Sequence, residues 1–378
     1  MIRTEPFLDG NHQMNSFKPN ALPLLIGSLP MTDHTAALKL VFDHTPDIPL
    51  WVQLPLYREE GMISQFLSGL PGFTEGNEKN LLDTSRPGFD NELVSFFEDY
   101  LSLSESGDDL CGSRFALSGT RGKGFFEFLR QVDEKKHPFI ALKGQVTGPI
   151  SFGTAVKDEN NKDIFYHDQL RDTAIKKLAM NAKWQAREFS KRGAVPIIFL
   201  DEPALAGFGT SAYITISKAD VILGIEEISR EIHSEGGLVG VHVCANTEWD
   251  MLLGADIDII SFDAFSYFDK FILYPEMIKT FLDQGKILAW GIVPTGKPDL
   301  IAAQTGPGLT RLLYGQMDEL SGKTGIGKAT ILSQSFITPS CGTGSLDLVS
   351  ATKVLALTRE VSEAFRRTYA GLSIFLPY

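Results

Sequence analysis

Short apolar runs rich in β-branched residues recur along the chain, and each stops at a turn or a polar cluster. Residues 22–26 run into Gly27-Ser28-Leu29-Pro30, residues 48–52 into Gln53-Leu54-Pro55, and residues 139–142 into the stretch 143–149. Residues 195–200 stop at Asp201-Glu202-Pro203, residues 238–241 at His242-Val243-Cys244, and residues 257–262 at Asp263. The last two runs, 287–290 and 330–337, end in Gly291-Ile292-Val293-Pro294-Thr295 and Thr338-Pro339-Ser340-Cys341-Gly342. Between the runs, apolar residues at helical spacing predict helices over 32–42, 92–101, 169–189, 217–233, 247–253, 275–282 and 309–319, with a last one over 346–369.

Strands alternating with helices imply parallel βαβ units. Eight of them in 378 residues predict an α/β protein folded as a single (β/α)8 TIM barrel over residues 1–378. A doubly wound open sheet is the alternative architecture. One connection is too long for a simple crossover. Residues 58–137 include a turn-rich stretch at 72–77, an acidic one at 105–109 and glycines through 112–124, and predict an insertion after strand two that packs over the barrel mouth.

In such a barrel the working residues gather at the C-terminal ends of the strands. Ser28, Gln53, Gln145, Asp201, His242, Cys244, Asp263 and Cys341 all fall where an apolar run stops. His242 and Cys244 are two residues apart, so on a strand the imidazole and the sulfur point to one face and converge. A thiolate beside an imidazole suits zinc; two ligands do not hold a catalytic ion, and Asp263 and Cys341 are the candidates for the rest. The competing reading of a His-x-Cys pair is core packing. The gathering of polar residues at so many strand ends favours the metal.

Zinc with two thiolates, one imidazole and one carboxylate carries a net charge of about −1, a poor electrophile suited to stripping the proton from a substrate thiol. Hydrolytic zinc more often uses neutral histidines and a water, and the chain has no His-Glu-x-x-His motif. The donor types therefore point to alkyl transfer to sulfur. Asp201, a carboxylate at a strand end, would pair with an ammonium group, with a turn cap as its structural alternative. Glu202, next to it, is expected to face the other way.

A formal net charge of −12 with no Lys/Arg-rich stretch argues against nucleic-acid or membrane partners. Three widely spaced cysteines make no disulfide framework and imply a reducing, cytoplasmic setting, with Cys111 a bystander. The first residues hold no apolar core for a signal peptide, and no apolar run approaches the roughly 18 residues of a membrane span. Gly322-Lys323-Thr324-Gly325-Ile326-Gly327-Lys328-Ala329 nearly spells a phosphate-binding loop. Ala329 replaces the required Ser/Thr and the loop precedes a strand, so a surface turn is expected. Of the tryptophans, Trp290 lies nearest a strand end at the mouth.

Ile26-Gly27-Ser28-Leu29-Pro30, Gly148-Pro149, Asp201-Glu202-Pro203-Ala204-Leu205, His242-Val243-Cys244, Ser261-Phe262-Asp263-Ala264 and Pro339-Ser340-Cys341-Gly342 follow one another along the chain. Together they resemble the catalytic-domain motifs of the cobalamin-independent methionine synthase family, in the wider group of barrels that includes uroporphyrinogen decarboxylase. The resemblance implies a zinc-dependent methyltransferase acting on the thiol of homocysteine. His242, Cys244 and Cys341 would be zinc ligands at the catalytic centre. Asp201 would receive the amino group of homocysteine, and the backbone of Ile26, Gly27 and Ser28 its carboxylate. Glu60, or its neighbour Glu59, is the candidate for a further contact to the amine.

Departures from the family pattern shape the expectation. Asp263 stands where the family usually has a glutamate as fourth ligand, shorter by one carbon–carbon bond or roughly 1.5 Å. Folate-using members carry a second barrel, a tryptophan soon after the Gly-Pro motif, and a histidine after strand seven that helps deliver a proton to folate. This chain reads Ser151-Phe152 and Val293-Pro294-Thr295 at the last two places. A methyl-corrinoid donor needs no such proton, so the resemblance is to short, core-type synthases, with methylcobalamin or a methyl-corrinoid protein as donor. Corrinoid-to-coenzyme M methyltransferases share the His-x-Cys and late cysteine, but coenzyme M has no amino group for Asp201. A non-catalytic corrinoid- or tetrapyrrole-binding barrel is the reading from a different class.

Overall fold

The computed structural model describes residues 17–373 apart from 76–79, 107–109, 136–137, 210–212 and 214. The end of the turn expected at 72–77, residues 107–109 at the end of the acidic stretch, and the N-terminal residues 1–16 lie outside the described residues. In chain order the elements are α1 (His34–His44), α2 (Phe89–Ser106), α3 (Lys123–Glu134), β1 (Ala141–Thr147), α4 (Pro149–Ala155), α5 (Asp168–Ser190), β2 (Val195–Asp201), α6 (Lys218–His233) and β3 (Leu238–Val243). There follow α7 (Trp249–Leu253), β4 (Ile259–Phe262), α8 (Ala264–Phe271), α9 (Pro275–Asp283), β5 (Ile287–Val293), α10 (Pro298–Ala302), α11 (Gly306–Thr324), α12 (Lys328–Ser333), β6 (Ser335–Pro339) and α13 (Leu348–Ser373).

Six strands make the main sheet, pairing in parallel, each beside the next in sequence, with at least one helix in every crossover; a separate two-residue parallel pair joins Leu81–Leu82 to Lys157–Asp158. Alternation along each strand separates two apolar layers. Ala141, Ile197, Phe199, Leu238, Ile259, Ile287, Ala289 and Phe336 form one cluster with Leu22, Leu24, Ile26 and Ile48. Their neighbours in sequence, such as Leu142, Ile198, Val239, Ile260, Leu288 and Ile337, belong to the larger cluster shared with the helices. A sheet that covers one face with helices and gathers a separate core on the other is curled, and this one forms a half-barrel.

The first two predicted strands do not join the ladder as strands. They bridge its edges: Leu50 pairs with Lys143 on β1, Pro23 with Ile337 on β6, and Ser28 with Gln53 between the two segments. Pro23 and Pro49 have no N–H to donate, which breaks each run into isolated contacts. The run at 330–337 also differs from expectation. Its first half is the short helix α12, closed by the Gln334 N–H on the Thr330 carbonyl at 3.0 Å, and β6 starts at Ser335. A short apolar run does not separate helix from strand by periodicity.

Residues of the long segment after Gln53 reach the C-terminal end of β1. The Thr147 hydroxyl donates to the Met62 carbonyl at 2.5 Å, and Gln53 and Gln65 link in turn to the Arg121 carbonyl. α3 approaches so closely that a β-carbon on Gly124 would fall 2.0 Å from the Val52 carbonyl oxygen. Trp290 is buried on the helix side, its Nε1–H on Ser335 Oγ, and takes no part in the mouth. The stretch 322–329 takes in the end of α11, a turn at 325–327 and the start of α12, with Gly325 in the left-handed region and Lys323 and Lys328 paired to Glu319 and Asp318. Among the described residues no helix is long and apolar enough to cross a membrane.

Candidate metal centre

Ladder register sets a row of polar side chains across four strands. Thr147 is opposite Asp201, Asp201 opposite His242, and His242 opposite Ser261. Lateral partners share a face, so these side chains stand on the side of the sheet that carries Ile197, Phe199, Leu238 and Ile259. Two residues further on, Cys244 continues the line from His242 and Asp263 continues it from Ser261. Cys341 comes from the loop beyond β6.

The structure brings His242, Cys244 and Cys341 together: one ring nitrogen and the two sulfurs lie within 4.8 Å of one another. Nδ1 of His242 is 3.0 Å from Ser261 Oγ, whereas Nε2 is buried with no partner. Burial, aided by the positive charge of Lys143, pushes the His242 pKa down to about 3, so the imidazole is neutral and its free nitrogen can donate a lone pair. The Cys341 thiol hydrogen-bonds Cys244, which lowers the Cys244 pKa to about 7; the same bond and burial push Cys341 up. A neutral imidazole with one unpartnered nitrogen, grouped with two sulfurs of which one is poised to ionise, is a donor set that could hold a soft-ligand divalent ion such as zinc.

Asp201 is buried beside this group, and its Oδ1 has no hydrogen-bond partner. Burial pushes its pKa up to about 6, against the opposing charge of Lys143. Lys143 was not singled out in the sequence. Its ammonium lies inside the sheet, over the Phe199 ring at 4.4 Å, and burial pushes its pKa down to about 8. Glu202 does face away: its carboxylate accepts from the Ile150 and Ser151 N–H groups and from Ser151 Oγ.

The other expected site residues are placed differently. Asp263 is not in the three-ligand group; it caps α8, its Oδ1 accepting from the Ser266 N–H at 2.8 Å, and burial raises its pKa. Its charge still acts on Cys244. Glu60 is fully buried, with Oε1 2.7 Å from His34 Nε2 and Oε2 3.3 Å from the Leu54 N–H, and burial raises its pKa. Ile26 and Gly27 are buried at the edge of the sheet, and a β-carbon on Gly27 would come within 2.9 Å of Gln53 Oε1 and Gln145 Cδ. Ser28 accepts hydrogen bonds from the loop that carries Cys341. Ser261 was missed as a site residue in its own right, although Ser261-x-Asp263 repeats on β4 the two-residue spacing of His242-x-Cys244.

Cavity size does not locate this centre. A cavity of about 820 Å³ lies at the opposite, N-terminal end of the strands, lined by Leu238, Asp258, Lys286 and Ile287.

No family model matches the sequence. No curated protein matches it either. Among solved structures, a methyltransferase from Methanosarcina mazei is similar at 15% identity, over 67% of this chain and 68% of its own, with a TM-score of 0.41. A protein from Listeria monocytogenes described as a candidate vitamin-B12 independent methionine synthase is similar at 12% identity, over 91% of this chain and 97% of its own, with a TM-score of 0.44. At these scores neither likeness bears on function.

Proposed function

We propose that this chain is a zinc-dependent thiol S-methyltransferase that transfers a methyl group from a methyl-corrinoid to homocysteine. The observation that carries the reading is the meeting of a His242 ring nitrogen with the Cys244 and Cys341 sulfurs, with the unpartnered Asp201 carboxylate oxygen in the same buried row. The bridging segments at 22–28 and 48–53 are read as the first two staves of a closed (β/α)8 barrel, which puts this group at the mouth, and residues 58–137 as an insertion beside it.

Zinc, when bound, supplies the Lewis acidity that converts an acceptor thiol into a thiolate at neutral pH. His242, Cys244 and Cys341 would hold it, with Asp263 the proposed fourth ligand. Ser261 keeps the proton and the rotation of the imidazole fixed through Nδ1. Asp201 offers an anionic oxygen to the acceptor's ammonium group, and the backbone of Ile26 to Ser28 is the proposed partner of its carboxylate. Glu60, tied to His34, is the proposed further contact to the amine. The thiolate sulfur then attacks the methyl carbon in line, and the corrinoid leaves with the bonding electron pair.

Asp201 separates this reading from its rivals. A buried carboxylate with an unsatisfied oxygen favours a ligand that carries a cation, as homocysteine does and coenzyme M does not. A binding barrel without chemistry has no use for two converging sulfurs.

The test is the absorbance of methylcobalamin under anaerobic conditions with zinc-loaded protein, adding homocysteine or coenzyme M, each with a chelator control. Loss of the methylcobalamin spectrum with homocysteine, abolished by chelation and by Asp201→Asn, is the expected result. Faster loss with coenzyme M would overturn the acceptor, and equal activity after complete zinc removal would overturn the metal.

A further inference from the structure

Cys341 lies two residues beyond β6, outside the ladder, yet its sulfur meets Cys244. The sheet ladder ends just before it, and hydrogen bonds to two neighbouring segments continue the hold. Ser340, just before it, donates its N–H to the Val293 carbonyl at 2.8 Å. Its Oγ accepts the Thr295 N–H at 3.1 Å and lies 3.0 Å from Thr295 Oγ1. Just after it, Thr343 donates both its N–H and its Oγ1 to the Ser28 carbonyl, each at 3.0 Å, and the Gly344 N–H donates to Ser28 Oγ at 3.2 Å. The approach is close: a β-carbon on Gly342 would fall 2.3 Å from Ser28 Oγ. Thr295, Ser340 and Thr343 are all buried.

We propose that Thr295 and Thr343 are positioning residues for Cys341, the two sides of a clasp that holds its thiol in place for metal binding. The proposal deepens the metal reading above and rests on it for its effect on zinc. A cysteine on a free loop loses conformational freedom when it becomes a ligand, and that loss is subtracted from affinity; a cysteine fixed beforehand avoids it. Each side of the clasp joins Cys341 to a different part of the sheet, the Thr295 side to the end of β5 and the Thr343 side to the bridging segment at Ser28. Two attachments on either side of one residue leave its backbone little room to turn. Both hydroxyls act through their neighbours: Thr295 Oγ1 meets Ser340 Oγ, and Thr343 Oγ1 donates to the Ser28 carbonyl. Thr295 belongs to the stretch Val293-Pro294-Thr295, where the family resemblance places a histidine, and here it holds the next loop. Ser28, the expected carboxylate contact, has its carbonyl engaged twice by Thr343.

The experiment compares the full chain with Thr295→Val and Thr343→Val, which keep shape and remove one hydroxyl, and with the Thr→Ser variants as rescues. Two quantities are measured. Zinc affinity is read by competition with a chromophoric chelator. In metal-stripped protein, the iodoacetamide alkylation rate of Cys341 is read by peptide mass spectrometry, with the exposed Cys111 as internal control. Each Val variant should bind zinc about tenfold more weakly, the size typical of supporting contacts around a metal ligand. Each should also alkylate Cys341 several-fold faster with no change at Cys111, and the Ser variants should restore both values. Unchanged Cys341 alkylation in both Val variants overturns the clasp, as does a change that Ser does not restore. If the wild type takes up no zinc but the Val variants still release Cys341, the clasp stands and the metal reading falls.

Discussion

Nδ1 of His242 lies 3.0 Å from the hydroxyl of Ser261, its register partner on the neighbouring strand. Both residues are buried, and Nε2 is the ring nitrogen left without a partner. Ser261→Ala removes the contact that selects this orientation. Zinc affinity should fall about tenfold, within the range for loss of a supporting partner of a ligating histidine. The unpaired ring nitrogen should lower stability by about 1–3 kcal/mol. Chelator competition and urea unfolding on the same preparation check both; unaltered zinc affinity would show that packing alone orients the ring.

Glu202, next to Asp201, marks the other face of the sheet at the end of β2. Its carboxylate sits on the N-terminus of α4, accepting three hydrogen bonds from Ile150 and Ser151, and a β-carbon on Gly148 would fall 2.2 Å from its Cδ. Burial pushes its pKa up to about 7, the Ser151 and Ile150 hydrogen bonds opposing and Asp201 adding to the rise. Glu202→Ala would strand buried donors and should lower stability by about 2–4 kcal/mol, while Glu202→Gln, still able to accept, should lose roughly half as much. Denaturant midpoints at pH 7 measure the difference. Equal losses in the two variants would mean that the side chain serves by filling space.

What could be read in advance follows from how local each relation is. His242 and Cys244 were legible because a two-residue spacing on a strand fixes a shared face within one segment. Cys341 was legible only as a late cysteine at a strand end, because the clasp around it joins residues 28, 295, 340 and 343, which no local pattern connects. Ser261 and Lys143 were missed for a related reason: both matter through lateral register and burial on the inner face of the curled sheet, which depend on neighbouring strands. Asp263 was expected among the ligands, but Asp263-x-x-Ser266 before α8 is also an N-cap, and the structure shows that role directly. The two missing ladder strands were signalled by Pro23 and Pro49, each inside or beside a run otherwise suited to a strand.

At the opposite end of the strands, His233 supports a prediction about pH. Its Nε2 lies 2.9 Å from Asp258 Oδ2, which also accepts the Val239 N–H at 2.7 Å and so anchors the start of β3. Burial disfavours the charged ring, but the hydrogen bond and charge of Asp258, with Asp256 behind it, outweigh burial and the opposing charge of Lys286 and raise the His233 pKa. A histidine whose folded pKa is raised contributes stability that is fully present below the unfolded value of about 6.5 and is lost as pH rises through the folded pKa. His233→Gln keeps a donor of similar reach without the charge. Its thermal midpoint should therefore fall furthest below wild type near pH 5.5, and the gap should narrow toward pH 9. A gap that stays constant across that interval would assign His233 a packing role and remove the charge on Asp258 from the account.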